Sequence, residues 1–108
     1  MKYCVVSDIW GAPSAEDCVR WLGLSPEVVV HFTPADLLDE PALTGEALHQ
    51  QLFTQGGATR VVEALLARVP DHAVGIGFSA GGTVLWQAAA QGLALSALSC
   101  VSSTRLRD

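Results

Sequence analysis

Four short apolar runs punctuate the chain: Tyr3–Ser7, 28–32 (Val-Val-Val-His-Phe), Ala73–Phe78 and 95–102. Tyr3–Ser7 is apolar and β-branched without alternation, so it reads as a strand covered on both faces; Ala73–Phe78 reads as a short buried strand. Between the runs the period changes to that of a helix. Ser14 is an N-cap with Glu16 and Asp17 in the following turn, which predicts a helix carrying Ala15, Cys18, Val19 and Leu22 inward and ending at Gly23. Ser25-Pro26 opens the second strand and Thr33-Pro34 closes it. The stretch 37–41 reads as a loop or short turn, and 46–54 has helical spacing at Leu48, Leu52 and Phe53. Gly56-Gly57 punctuates; residues 58–69 then form an amphipathic helix through Val61, Val62, Leu65, Leu66 and Val69. Residues 82–91 form a last helix, stopped by Gly92. Trp21 and Trp86 fall at helical core spacing and read as packing residues.

The order β-α-β-α-α-β-α-β predicts an α/β fold in three α/β/α layers. Its sheet is a mostly parallel, doubly wound one of about four strands with right-handed crossovers. At 108 residues the chain is one domain, 1–108. Half the residues are apolar and 16% charged, which excludes a disordered chain. The net charge is −5 with six Lys+Arg and no basic cluster, which argues against nucleic acid as a partner. No apolar run approaches the ~18 residues of a membrane span. The N-terminus reads as a strand rather than a signal peptide. Three cysteines without a C-x-x-C read as reduced core thiols, hence a cytoplasmic protein. His31, His49 and His72 share no metal-ligand spacing, so neither metal nor other cofactor is expected.

The chemistry gathers at 73–82, a strand running directly into a helix with Ser79 at the turn. Gly77-Phe78-Ser79-Ala80-Gly81 fits G-x-S-x-G, the nucleophile elbow. A serine on so tight a turn sits in strained backbone geometry, and side chains two positions either way would collide with it, so glycine is needed at both. In doubly wound sheets ligands bind at the carboxyl ends of strands, near the point where strand order reverses. Two strands end in unusual loops there, Asp8-Ile9-Trp10-Gly11 and the Ser79 elbow.

With these two motifs the chain resembles the α/β-hydrolases, most closely the dienelactone hydrolase-like branch. That branch has an acidic-Ile-aromatic-Gly loop, matched by Asp8–Gly11, and G-x-C/S-x-G at the elbow, matched by Gly77–Gly81. The likeness covers the element order of nearly the whole chain. It implies that Ser79 is the catalytic nucleophile and that the N–H groups of Ile9 and Ala80 form the oxyanion hole. It also implies that Asp8 orients or modulates the nucleophile, with Trp10 beside the substrate. The implied substrate is a small ester or lactone, attacked through an acyl-enzyme. Founding members carry cysteine at the elbow, so serine here points toward esters.

The family's acid and histidine follow the nucleophile. After Ser79 this sequence has no histidine and a single acidic residue, Asp108. Among the three preceding histidines, His31 lies at the carboxyl end of its strand and is the one that could face the same rim. The chain therefore reads as the nucleophile-bearing part of a hydrolase fold, inactive by itself, with its last strand an exposed edge through which copies could pair. Two other readings fit parts of the sequence. One is a non-catalytic hydrolase-like interaction domain that keeps Ser79 for its turn. The other is a dinucleotide-binding module using Gly75-x-Gly77-x-x-Ala80, against which stands the missing acidic residue about 20 positions on.

Overall fold

A computed structural model describes residues 2–101. Four strands, β1 (Tyr3–Val6), β2 (Val29–Phe32), β3 (Ala73–Phe78) and β4 (Leu95–Val101), form one sheet in the order β2-β1-β3-β4, every pair parallel. The helices are α1 (Ala15–Leu22), α2 (Pro34–Leu37), α3 (Gly45–Phe53), α4 (Gly57–Arg68) and α5 (Ala80–Ala90). The α/β architecture read from the sequence is thus the observed one. The chain runs outward from β1 to β2, then crosses back to β3, so strand order reverses between β1 and β3.

Two helix boundaries follow the sequence closely. The Ser14 hydroxyl accepts from the Asp17 N–H at 3.1 Å, and Gly23 closes α1 in the left-handed region at φ 66°. The one-turn α2 lies where the sequence shows only the Thr33-Pro34 end of the second strand, just ahead of the 37–41 stretch read as loop or short turn; it is capped by Thr33, whose hydroxyl accepts from the Asp36 N–H at 3.1 Å. Pro34 opens it; the proline that ends β2 also presets the first helical φ.

Alternation along β1 separates two faces. Cys4 and Val6 join the main core with Leu48 and Leu52 of α3, Val61, Val62 and Leu65 of α4, and Val84, Leu85 and Ala88 of α5. Val5 and Cys18 of α1 are equally buried but lie outside that cluster, on the opposite face. On that face Val74, Ile76 and Phe78 are half-buried, and their β4 neighbours Ala97 and Val101 are exposed. β4 is an outer strand of the sheet.

Several inward assignments need correction. In α1 only Cys18 is buried; Ala15 and Leu22 are exposed. In α4 Leu66 is exposed, one step around the helix from Leu65. Trp21 and Trp86 are also exposed, at 65% and 44%. The inward stripe of α5 is Val84, Leu85 and Ala88, and Trp86, about 200° around from Val84 at 100° per residue, points away.

Candidate functional site

The elbow forms where β3 meets α5. Ser79 has φ 55° and ψ −120°, a region that side chains rarely adopt. Its neighbours hold it there. The Ser79 N–H donates to the Val101 carbonyl at 2.7 Å, extending the β3–β4 ladder, while its own carbonyl accepts from the Thr83 N–H at 3.2 Å and starts α5. The two flanking glycines are steric necessities. A methyl at Gly77 would overlap the backbone of Gly82, and one at Gly81 would overlap the carbonyl oxygens of Val6 and Ser7. The second clash shows how closely the first turn of α5 lies against the carboxyl end of β1, the strand that leads into the loop containing Ile9.

That loop is folded by Asp8. Its Oδ1 accepts from the Trp10 N–H at 2.8 Å and the Ala12 N–H at 3.0 Å, and its backbone closes the turn through Asp8 N–H to Ala12 C=O at 2.9 Å. Ile9 is fixed from behind, its carbonyl accepting from the Gly45 N–H at 3.0 Å and the Thr44 hydroxyl at 3.3 Å. Among the described residues nothing accepts a hydrogen bond from the N–H of Ile9 or of Ala80. These are the two N–H groups that the sequence assigns to the oxyanion.

Trp10 and Asp8 face a different space. With Ile9 they line a cleft of about 260 Å³ against Asp36, Leu43 and Leu48, whose lining includes neither Ser79 nor Ala80. The benzo ring of Trp10 packs on Gly45, where a methyl would overlap it, and the indole is 68% exposed.

The structure also places a serine and a histidine in hydrogen-bond contact that sequence reading did not pair. Ser7, fully buried just beyond β1, lies 2.7 Å from Nε2 of His31, and both meet the Pro13 carbonyl, at 2.6 and 3.0 Å. A carbonyl only accepts. Were Nε2 unprotonated, Ser7 would give it its single proton and leave Pro13 O facing two lone pairs. The satisfied arrangement has the Ser7 hydroxyl donating to Pro13 and Nε2–H donating to Ser7 and Pro13. His31 is therefore no base toward Ser7. It is not one for Ser79 either, since β1 lies between β2 and β3, roughly 10 Å at ordinary strand spacing. The signal was present in the sequence as two polar side chains, Ser7 and His31, at the ends of otherwise apolar strands, each needing a buried partner. His49 packs on Phe53, ring centroids 5.0 Å apart, and His72 precedes β3 at the opposite end from Ser79. Asp108 lies outside the described residues.

No protein-family model matches the chain, and no curated protein or solved structure matches it.

Burial pushes the Cys4 thiol up to about 12, and burial also raises Cys18 and Cys100. Among the described residues no group of three or more His, Cys, Asp or Glu could hold a metal ion, and no helix is long and apolar enough to cross a membrane.

Proposed function

We propose that the chain carries the nucleophile and the oxyanion donors of a serine hydrolase acting on a small ester or lactone. The observation that carries this is the Ser79 backbone at φ 55° and ψ −120°, held between two glycines that the packing requires. Evolution keeps such strain where it serves a site, and a serine there presents its hydroxyl above the sheet edge. The Ser79 oxygen attacks the ester carbonyl, its proton passes to a base, and the carbonyl oxygen becomes the oxyanion that the Ile9 and Ala80 N–H groups receive. Collapse of that adduct expels the alcohol and leaves the acyl group on Ser79.

None of the described histidines reaches Ser79, so the base comes from outside residues 2–101 or from a partner. Acylation by an activated ester needs little help from a base, whereas release by water needs more. An acyl-enzyme should therefore accumulate. Treating the 108-residue protein with p-nitrophenyl acetate and reading intact mass tests this. One acetyl adduct that is absent from Ser79→Ala supports the reading; adducts at the same rate in Ser79→Ala remove it.

The same reading includes pairing of two copies through the outer edge of β4, next to which no further strand lies among the described residues. A concentration-dependent dimer in sedimentation supports it, and a strictly monomeric profile refutes it.

A further inference from the structure

A cleft lies between the Asp8–Gly11 loop and the segment from Thr33 to Leu48, beside the proposed oxyanion loop, and Ser79 is not among its lining residues. Its walls are specific in kind. Asp8 and Asp36 supply two carboxylates, and none of the described residues lining it is Lys, Arg or His. Neither carboxylate forms an ion pair among the described residues; the pairs present are Arg20–Asp17 and Arg60–Glu40. Ile9, Leu43 and Leu48 supply apolar surface. Trp10 supplies an aromatic face that packing on Gly45 fixes while leaving the indole 68% exposed.

These walls are held, not loose. Oδ1 of Asp8 is anchored by two N–H groups, and the Ile9 carbonyl is tied to Thr44 and Gly45 at the start of α3. At about 30 Å³ per water, the 260 Å³ space holds the equivalent of about nine water molecules, room for a small organic molecule. Carboxylates with no ion-pair partner among the described residues, beside an aromatic face, attract a positive charge, the indole through its ring quadrupole, and the aliphatic wall takes a hydrocarbon body.

We propose that this cleft binds a small organic cation, an alkylammonium whose charged head lies between Asp8, Asp36 and the Trp10 ring and whose chain lies on Leu43 and Leu48. The site stands whether or not Ser79 is acylated.

The test uses the full chain with Trp21→Phe and Trp86→Phe, both exposed positions, so that Trp10 alone reports by fluorescence. The probes are n-butylammonium chloride and n-butanol at constant ionic strength. n-Butylammonium should give a saturable change with a millimolar midpoint, as befits a ligand of so few atoms. n-Butanol should bind at least fivefold more weakly. Asp36→Asn, at an exposed position, should weaken n-butylammonium at least threefold while leaving n-butanol unchanged. Equal binding of the two probes, no saturation by either, or an Asp36→Asn protein that binds n-butylammonium as before would each overturn the proposal.

Discussion

Ser7 and Ser79 stand at the carboxyl ends of neighbouring strands, and they have opposite equipment. Ser7 has a histidine nitrogen at 2.7 Å, yet it is fully buried and its proton is committed to Pro13. Ser79 has no described histidine within reach, yet it sits half-buried in strained backbone beside two N–H groups that nothing described engages. On the proposed reading, contact between serine and histidine is therefore a poor guide to reactivity. The Ser7–His31–Pro13 contacts join β1, β2 and the loop before α1, and every polar atom in them has a partner. The Ser79 turn instead retains a backbone strain that folding must offset.

The sharpest way to break this contrast is at the glycines. Gly81→Ala forces a methyl into the Val6 and Ser7 carbonyls, and Gly77→Ala forces one into the Gly82 backbone. Neither obstacle is a flexible side chain, so each should cost about 3 kcal/mol or more, measured by denaturant titration. A loss below about 1 kcal/mol would mean that the elbow is looser than described.

A smaller effect comes from the same strand as Ser7. The Cys4 thiol is raised from 9.0 to about 12 by burial, so above pH 9 the unfolded chain releases a proton that the folded chain retains. Stability should fall as pH rises from 9 toward 12, with Cys18 and Cys100 adding in the same direction. Cys4→Ala should flatten that decline in denaturation midpoints taken between pH 7 and 10.5, and an unchanged slope would contradict the burial of Cys4.

Replacing the two serines should then separate their roles. Ser79→Gly relieves the positive φ and should stabilise by about 1 kcal/mol while abolishing the acetyl adduct. Ser7→Ala should destabilise by about 1 kcal/mol, because Nε2–H of His31 keeps the Pro13 carbonyl as acceptor, and the adduct should form as before. Opposite signs in thermal melts of these two variants are the expected signature.

Much of the fold was legible because local chemistry and packing agree. The four apolar runs became the four strands within a residue or so, and Ser14 and Gly23 cap α1 as expected. The elbow was legible for the same reason, since its two glycines answer a local steric demand. Other features depend on contacts distant in sequence. Which face of α1 and α5 turns inward follows from where the sheet lies, so Trp21 and Trp86 were placed in the core and are in fact exposed. The α2 turn is one turn long and carries too little periodicity to show. The Ser7–His31 contact spans 24 positions, and the Thr44 hydrogen bond to Ile9 spans 35. The polar Ser7 and His31 at the ends of apolar strands show that each needs a partner, but no pattern within either segment says which one it takes.

The central claim is that Ser79, and not the histidine-bonded Ser7, is the reactive hydroxyl. The most direct measurement is labelling with a fluorophosphonate in the presence of added imidazole as an external base, followed by peptide mapping. The account predicts a single adduct on the peptide containing Ser79, formed faster as imidazole is raised and absent from Ser79→Ala. An adduct on Ser7, or none on a folded sample at any imidazole concentration, would contradict it.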